Sequence, residues 1–474
     1  MSLWSSAEAV AATGGVTRGN WCATGVSIDS RTLQKGDLFV ALKEMRDGHD
    51  FVAQALAQGA AAALVSRRPD KVAADAPLLL VRDVQTALEA LARAARTRCS
   101  GRIVAVTGSV GKTSTKEMLR NVLLAHGRTH VSVASYNNHW GVPLSLARMP
   151  KDTQFGVFEI GMSRPGEIAP LAAMVRPHIA IITTVVAAHL EAFENVAAIA
   201  WEKASVFQGL EPGGWAVYHC DIPMASILRA VAGRFADRQE SFGSSPPADY
   251  KLHEVSFDGK KTLASVIHIG GMRSFELAAI GAHFAQNALA VLATGDALGL
   301  PPQAVIDDLA AWRPFIGRGE RSRIPIDPLN VMTVVDLIDE SYNANPTSLA
   351  AALAVLAAVV PAPGGRRIAY LGDMKELGST AVVMHAEFAV SEFVEGLDCI
   401  HAVGPLMRHL YEALPSGKRG RWTATSTEMS ASLEADLRSG DVVLVKGSLS
   451  MAMGRLVDAI ENMGHARAED AGED

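Results

Sequence analysis

A stretch near residue 110 has the residue types of a loop that holds phosphate groups. It reads AVTGSVGKTST, from Ala105 to Thr115, and it lies between an apolar stretch and a helical one. The usual phosphate-binding signature is Gly, four residues and then Gly-Lys-Ser/Thr, which would place a glycine at Val106. The glycine occurs instead at Gly108. Because backbone N–H groups at a helix start hold phosphates, the pattern predicts a nucleotide site with a shortened loop, in which Thr113 binds Mg²⁺.

Two more side chains that could do chemistry follow predicted strands. Glu159 ends the apolar stretch FGVFEIG, and His189 follows the next strand, in TTVVAAHLEAF. Ligands of open α/β sheets bind at the carboxyl ends of the strands. A buried carboxylate is costly unless a positive group meets it, so we expect Glu159 to face a metal ion at the loop or, alternatively, an arginine. His189 is either a ligand in the same place or a structural histidine.

A lysine interrupts an apolar helix stripe further along the chain. The stretch NVAAIAWEKASVFQGL predicts a helix that Asn195 caps. The apolar residues of that helix recur at three-four spacing, namely Val196, Ile199, Val206 and Leu210. Lys203 occupies this stripe, where leucine would be expected. Either its stem packs while its amine reaches water, or desolvation lowers its pKa and frees the amine for chemistry.

The elements that would position these residues alternate regularly. RIVAVTG, FGVFEIG and HIAIITTV are strand-like and each precedes a helical stretch. The alternation of strand-like and helical stretches resumes after GRGERSRI, where the strand-like stretches are VMTVVDLI, RRIAYLG, CIHAVG and DVVLVKG. This alternation predicts an α/β fold built on parallel, doubly wound sheets. The segment from Asp249 to Phe275 alternates with polar breaks, which predicts antiparallel strands at a sheet edge.

Composition and charge exclude several classes of protein. The chain of 474 residues carries a formal net charge of -6, which argues against nucleic-acid binding because that needs a basic surface. Its four cysteines show no CxxC spacing and support neither a disulfide framework nor a zinc site. The amino terminus lacks a signal-peptide pattern, and the alanine-rich stretches are too short to span a bilayer. We expect a cytoplasmic protein with no membrane insertion.

Together these motifs resemble the Mur ligase family, the ATP-dependent amide-forming enzymes of peptidoglycan assembly. The short loop TGSVGKTST is typical of that family. Further motifs stand in the family's order, from about Ser27 to Met453: SYNNHWGVPLSL, EIGMSRPGEI, AHLEAF, WEKASVF, HFAQNALAV, GRGER, DESYNANP, LGDMKELG and LVKGS. The motifs SYNANP and LGDMKELG resemble those of the family members that add D-alanyl-D-alanine. The Asp-Asn-Pro-Arg motif of the enzyme for the preceding step is absent.

The resemblance implies three α/β domains and a reaction. Residues 1–98 would be a small UDP-substrate-binding domain, because SIDSRTLQKGDLFVALK and DGHDF resemble the family's UDP module. Residues 99–318 would be the central ATP-binding domain with a doubly wound, mostly parallel sheet. Residues 319–474 would be a Rossmann-like domain that binds nucleotide and D-Ala-D-Ala. The implied activity joins D-Ala-D-Ala to UDP-N-acetylmuramoyl-tripeptide through an acyl phosphate, in an enzyme expected to be a monomer.

The resemblance also assigns the nucleotide and metal residues. The loop residues that would bind ATP are Gly108, Ser109, Val110, Gly111, Lys112, Thr113 and Ser114. The residues implied around the adenine and the phosphates, or reaching them on closure, are Asn287, Arg318, Glu340, Tyr342 and Asn345. The implied Mg²⁺ ligands are Thr113, Glu159, His189 and Lys203. Lys203 would act after CO₂ carbamylates it, because the added carboxylate turns a buried cation into an oxygen ligand.

The remaining implied roles concern catalysis and the other substrate. The catalytic set comprises Lys112, Glu159, His189, Lys203 and Arg318. The substrate set comprises Ser30, Arg31, Asn137 and Asn138. Two positions depart from the family pattern: Glu340 stands where aspartate is common, and Leu449 stands where arginine is usual. The alternatives are another Mur or folate-type ligase, and an ATP-binding scaffold that ligates nothing.

Overall fold

The computed structural model describes residues 2–133, 135–327 and 329–464. Over these residues, strands and helices alternate in three successive units, each organised around a mostly parallel sheet. The α/β class that the strand-helix rhythm predicts is therefore confirmed. None of the helices described here is long and apolar enough to cross a membrane.

The first unit is a small sheet flanked by helices. Its elements are β1 (Trp4–Ser5), α1 (Ser6–Thr13), β2 (Val16–Thr17), β3 (Cys22–Ala23), β4 (Gly25–Ser27), β5 (Asp37–Val40), α2 (Val52–Ala57), β6 (Ala62–Val65), β7 (Leu78–Leu80) and α3 (Val84–Arg98). The sheet order is β2-β7-β6-β5-β4, with β2 antiparallel and the other pairs parallel. Apolar strands buried on both faces are typical of such a parallel arrangement.

The central unit carries the phosphate-loop motif. Its elements are β8 (Arg102–Thr107), α4 (Lys112–His126), β9 (Thr129–Val131), α5 (Gly141–Ala147), β10 (Phe155–Glu159), α6 (Ile168–Val175), β11 (Ile179–Ile182), α7 (Val196–Ala204), β12 (Trp215–His219), α8 (Ala225–Phe235), β13 (Arg238–Gly243), β14 (Tyr250–Phe257), β15 (Thr262–His268), β16 (Gly271–Leu277), α9 (Ala282–Leu298) and α10 (Pro302–Ala311). The sheet order is β16-β15-β14-β13-β12-β11-β8-β10-β9. Antiparallel pairs join β14 to β15 and β15 to β16, so the prediction of an antiparallel edge is confirmed.

The last unit repeats the parallel arrangement. Its elements are β17 (Glu320–Pro325), β18 (Val334–Glu340), α11 (Pro346–Ala358), β19 (Arg367–Gly372), α12 (Ala381–Glu387), α13 (Glu392–Glu395), β20 (Cys399–Val403), α14 (Met407–Ala413), β21 (Arg419–Thr423), α15 (Ser426–Ser430), α16 (Leu433–Asp436), β22 (Val442–Lys446) and α17 (Gly454–Asn462). The sheet order is β17-β18-β22-β19-β20-β21, with β17 antiparallel. The domain boundaries at residues 98 and 318 stay a prediction.

The first unit is packed firmly onto one edge of the central sheet. Helix α5, which follows the edge strand β9, contributes Leu144 and Ala147 to the same apolar core as α3. The indole nitrogen of Trp4 donates a hydrogen bond of 2.8 Å to the carbonyl of Ala147. Arg148 donates one of 2.6 Å to the carbonyl of Val26. Apolar burial and hydrogen bonds from side chains to backbone carbonyls thus hold the first unit against the central unit.

Helix α9 packs on the central sheet beside α4, and nearly all of its middle residues are apolar and buried. We expect Leu289→Ala, at a side chain with 0% exposure, to lower the free energy of unfolding by about 2–5 kcal/mol. Leu124→Ala is the matched control, because Leu124 is 52% exposed. Urea denaturation followed by circular dichroism measures both, and equal effects would contradict the assigned core.

Candidate functional site

A cavity of about 770 Å³ opens at the carboxyl ends of the central strands. Its walls come from the central unit, from the segment that leads into β17 and from the last unit. Along this sheet edge the strands stand in the order β12, β11, β8, β10, β9. The residues that follow them are therefore brought side by side, as expected for a parallel sheet.

The phosphate loop starts later than the usual signature because the strand before it is longer. Val106 lies inside β8 and is fully buried in the core, so no loop begins there. The turn is made at Gly108, with φ of 151°, where an added Cβ would collide with the Thr183 hydroxyl. Gly111 has φ of 84° and directly precedes α4. Glycine is needed at both positions, which explains the shortened motif.

The next strand holds the loop in place. The Thr183 hydroxyl donates to the carbonyl of Val110 at 2.5 Å, and the Ser109 backbone donates to the carbonyl of Thr184 at 2.8 Å. The Ser109 hydroxyl donates to the carbonyl of Val186 at 3.1 Å. The backbone is thus organised before any ligand binds. Thr183 was not among the residues expected at the site, although its position at the end of β11 could have indicated it.

Lys112 lies at the start of α4 with its amine turned back to the loop. Its Nζ donates to the carbonyl of Gly108 at 2.7 Å and to that of Ser109 at 3.3 Å. Burial lowers the pKa of Lys112 from its ordinary value, and the nearby Glu159 carboxylate opposes that shift. The hydrogen-bond partners of this ammonium are neutral carbonyl oxygens, so the negative oxygen atoms of an anion can take their place.

Glu159 ends β10 with its carboxylate buried and only half satisfied. The side chain is 1% exposed, and its Oε1 accepts a hydrogen bond of 2.7 Å from Asn137. Its Oε2 accepts none from the described residues. The groups that meet this carboxylate are the amide of Asn137 and the nearby ammonium of Lys112, rather than an arginine. An orphaned carboxylate oxygen beside the loop is a fitting ligand for a cation.

Lys203 lies deep in the same region. It is 1% exposed, and within the part of the chain described here its amine forms no hydrogen bond or ion pair. Burial, followed by the neighbouring charge of Lys112, lowers its pKa well below the ordinary value. Almost no part of the side chain reaches water, and the chemical role of Lys203 stays a prediction. The Asn195 cap is confirmed, with a hydrogen bond of 2.9 Å from Ala198.

The predicted helix around Lys203 is shorter than its apolar stripe suggests. Helix α7 ends at Ala204, and residues 205–209 continue as a tighter 3₁₀ turn. Glu202, which lies off the stripe, accepts backbone hydrogen bonds of 2.8 Å from Gly166 and Ile168. These bonds satisfy backbone N–H groups at the start of α6 and fix the orientation of α7.

His189 connects the central unit to the last one. Its Nδ1 lies 2.5 Å from Oε2 of Glu376, in the loop after β19. This contact lowers the pKa of Glu376. Both residues have left-handed backbone, with φ of 57° and 65°, which is strained for side chains of this kind. Because Glu376 occupies Nδ1, only Nε2 of His189 is left to serve as a ligand.

The last unit forms the wall opposite the loop. Arg318 stacks over the Tyr342 ring, 4.2 Å from its centre. Glu340 accepts a hydrogen bond of 3.0 Å from Lys446, which is 1% exposed and also donates to the carbonyl of Asn343. A buried lysine thus holds the glutamate at position 340. Lys446 was not among the expected site residues, although it lies in the LVKGS motif.

The structure does not bring every expected residue into the cavity. Ser30 bonds to Gln54, and Arg31 pairs with Asp29 while 84% exposed, both within the first unit. The remaining expected residues line the cavity directly, apart from Gly108 and Lys203. Two asparagines among them also bond to the first turns of helices. Asn345 caps α11, and the side chain of Asn138 accepts a hydrogen bond from the backbone N–H of Gly141, the first residue of α5.

The residues around the loop fit a magnesium ion accompanied by phosphate oxygens. Among residues 2–133, 135–327 and 329–464, no group of three or more His, Cys, Asp or Glu side chains is arranged to hold a metal. Mg²⁺, however, is usually bound by one or two carboxylates together with water and substrate phosphates. The free oxygen of Glu159 and the hydroxyl of Thr113 meet that requirement, since both residues line the cavity.

Three family models match the chain in succession. The Mur ligase family catalytic domain matches residues 23–96, the Mur ligase middle domain matches 106–295, and the Mur ligase glutamate ligase domain matches 329–449. UDP-N-acetylmuramoyl-tripeptide–D-alanyl-D-alanine ligase of Escherichia coli is 34% identical over 93% of this chain and 94% of its own length.

Solved structures agree with these matches. MurF from Acinetobacter baumannii superimposes with a TM-score of 0.82 at 28% identity, covering 97% of this chain and 99% of its own. MurF from Thermotoga maritima, solved in complex with ADP, gives a TM-score of 0.76 at 28% identity, covering 94% and 98%.

Glu159→Gln should weaken magnesium-dependent nucleotide binding, because the amide removes the charge of the free oxygen Oε2. We expect at least about a tenfold rise in the Mg²⁺ concentration needed for half-maximal nucleotide binding. Calorimetric titration with a non-hydrolysable nucleotide measures it. Glu254→Gln on exposed β14 is the control. An unchanged magnesium requirement in Glu159→Gln would rule out this carboxylate as a ligand.

Proposed function

The chain belongs to the Mur ligase family, and we propose that it joins D-Ala-D-Ala to UDP-N-acetylmuramoyl-tripeptide at the expense of ATP. The products would be UDP-N-acetylmuramoyl-pentapeptide, ADP and phosphate, in the synthesis of peptidoglycan precursors. The observation that carries the proposal is the cavity that joins a phosphate loop, a half-satisfied carboxylate and cationic side chains of the last unit. Similarity over nearly the whole chain to ligases of this activity supports the choice of substrates.

ATP would bind along the loop from Gly108 to Ser114. Lys112 would exchange its two carbonyl partners for phosphate oxygens, and the start of α4 would add backbone N–H groups. Asn287, whose Oδ1 lies close to Gly111, would approach the nucleotide from α9. The other contacts would come from residues of the linking segment and the last unit, namely Arg318, Glu340, Tyr342 and Asn345.

An amide does not form directly from a carboxylate and an ammonium, because oxide is not a leaving group. The terminal carboxylate of the tripeptide therefore attacks the γ-phosphorus of ATP, giving an acyl phosphate and ADP. The neutral amine of D-Ala-D-Ala then adds to the acyl carbon, loses a proton, and the tetrahedral intermediate expels phosphate. Lys112 and Arg318 would stabilise the negative charge that moves between these groups. Mg²⁺, held by Thr113 and Glu159, would neutralise phosphate charge, with His189 near a second ion.

Lys203 would carry a carbamate. Burial lowers the pKa of its amine and so raises the fraction of the neutral form, which can attack CO₂ to form an N–C bond and release one proton. The resulting carboxylate would place a negative charge next to Lys112 and supply oxygen atoms to Mg²⁺. Without it, the protein would bury an amine whose charge is opposed by Lys112 and only partly compensated by Glu202.

The other substrate would approach from the first unit. We propose domains at residues 1–98, 99–318 and 319–474, which the three matched segments support. Ser30 and Arg31 would bind the uridine diphosphate group, while Asn137 and Asn138 would lie along the path to the loop. Residues of one chain line the cavity, which supports a monomer as the proposed active form. A cytoplasmic location remains the expectation, since the precursor and ATP are available there.

Omitting each substrate in turn tests the reaction. We expect phosphate release only when ATP, UDP-N-acetylmuramoyl-tripeptide and D-Ala-D-Ala are all present, because the acyl phosphate waits for its amine. A coupled phosphate assay measures the rate, and mass spectrometry identifies the pentapeptide. Release that ignores D-Ala-D-Ala would favour a scaffold with ATPase activity. Release that requires folate and glutamate instead would favour a folate-type ligase.

Replacing Lys203 tests the carbamate. Lys203→Ala should reduce turnover by about a thousandfold or more if the carbamate holds a catalytic ion. Bicarbonate should not restore it, whereas short carboxylates such as acetate or propionate should restore part of the rate by filling the vacated space. Lys251→Ala, on the same unit but outside the cavity, serves as the control. Full activity in Lys203→Ala would show that the lysine only packs.

A further inference from the structure

Lys116 is a buried cation that the proposed reaction does not use. It lies one turn after Lys112 on α4, and its side chain is 0% exposed. Lysine is almost never fully buried unless its ammonium is paired or hydrogen-bonded, because the charge loses its hydration. A second positive charge four residues after Lys112 lies on the same face of the helix and adds repulsion. A lysine kept here at such a cost indicates that its ammonium fixes a particular contact.

The ammonium of Lys116 holds the chain just after β9. Its Nζ donates a hydrogen bond of 3.0 Å to the carbonyl of Ser132, the residue that follows this strand. The carboxylate of Glu117 stands 3.0 Å from the same Nζ and compensates its charge. Ser132 is itself buried, with 2% exposure. Helix α4, which begins at the phosphate loop, is thus tied to the end of the edge strand.

Ser132 connects this contact to β10. Its backbone N–H donates a hydrogen bond of 3.0 Å to the carbonyl of Val157, and its hydroxyl accepts one of 3.3 Å from the backbone N–H of Glu159. Ser132 therefore bonds to β10 on both sides of Phe158, while its carbonyl bonds to α4. A shift of Ser132 would also shift the backbone from which the Glu159 carboxylate projects.

A second hydrogen bond to Glu159 comes from the same part of the chain. Asn137, a few residues after Ser132, donates to Oε1 of Glu159 at 2.7 Å, and its own carbonyl accepts the backbone N–H of Gly161 at 2.7 Å. Residues of this one stretch therefore hold both the backbone and one carboxylate oxygen of Glu159. The other oxygen, Oε2, is left in a defined place beside the phosphate loop.

We infer that Lys116 is a positioning residue for Glu159, an inference that rests on the proposed binding of Mg·ATP. It acts through Ser132, because the ammonium fixes the Ser132 carbonyl while the Ser132 hydroxyl fixes the Glu159 N–H. Lys116 itself lies outside the lining of the cavity. The helix that carries the phosphate-binding Lys112 thereby also sets the distance from that lysine to the carboxylate.

Lys116→Met tests this role, because methionine fills a similar volume and removes the donor, while Glu117 keeps its contact with Arg120. We expect the Mg²⁺ concentration needed for half-maximal binding of a non-hydrolysable ATP analogue to rise by about tenfold, as when a group that supports a metal ligand is lost. Binding of the same analogue in EDTA should stay unchanged, because Lys112 and the loop are intact. Calorimetry of the whole protein measures both.

Hydrogen exchange of the free protein gives a second readout, which needs neither nucleotide nor metal. The backbone amide of Glu159 should exchange faster in Lys116→Met, because Ser132 is no longer held against α4. The amides of β12, on the far side of β8, should exchange as in the unmodified protein. An increase confined to the end of β10 is a local effect that a general loss of stability would not produce.

Leu309→Ala is the matched control for a general loss of stability. Leu309 is 0% exposed on α10 and lies outside the lining of the cavity. This variant should lower the free energy of unfolding but leave the Mg²⁺ requirement unchanged. An unchanged Mg²⁺ requirement in Lys116→Met, or an equal rise in Leu309→Ala, would overturn the inference.

If Lys116→Met does not fold, as judged by thermal denaturation, Ser132→Ala decides instead. It removes only the hydroxyl that accepts the Glu159 N–H, so the Mg²⁺ requirement should rise, and an unchanged requirement would refute the role. A raised requirement in Lys116→Met, together with no D-Ala-D-Ala-dependent phosphate release by the unmodified protein, would leave the positioning role intact and refute the proposed reaction.

Discussion

The positive charge at Lys112 constrains the chemistry of the whole sheet edge. Its ammonium is partly desolvated, it stands near the half-satisfied Glu159, and its charge helps to lower the pKa of Lys203. One buried cation therefore favours an anion in the loop, supports a buried carboxylate and adds to the effect of burial on the pKa of a second lysine. Each of these consequences depends on the exclusion of water, because the same charges in solvent would interact weakly.

That exclusion comes from how the units meet. The central sheet supplies the floor of the cavity and the last unit covers its opening, while the first unit packs on α5 outside the lining. The first unit is joined through a shared apolar core and hydrogen bonds at α5 and the residue that follows it. The last unit also buries Ile280 of the central unit, and it adds polar contacts at the cavity such as the one between His189 and Glu376. Such polar contacts exchange readily with water, so the covering unit is the one suited to admit and release substrates.

Local patterns were sufficient to predict the fold and much of the floor of the site. Strand-helix alternation predicted the parallel sheets, and the spacing of glycines around Lys112 predicted the loop. What failed were features that depend on distant residues. The apolar stripe around Lys203 did not reveal that the helix ends at Ala204, and nothing near His189 indicated its partner Glu376. Lys446 lies far from Glu340 in sequence, so their contact depends on strand order, which local patterns do not specify.

The packing of Trp4 and Arg148 between the first and central units has a consequence for substrate length. Because that contact is buried and hydrogen-bonded, the distance from Ser30 and Arg31 to Lys112 is set by the fold rather than by the substrate. If the uridine diphosphate group binds at Ser30 and Arg31 as proposed, the far carboxylate of the substrate would reach the transferable phosphate only when the intervening peptide has the right number of residues. The protein would then select the length of the peptide without contacting every side chain along it.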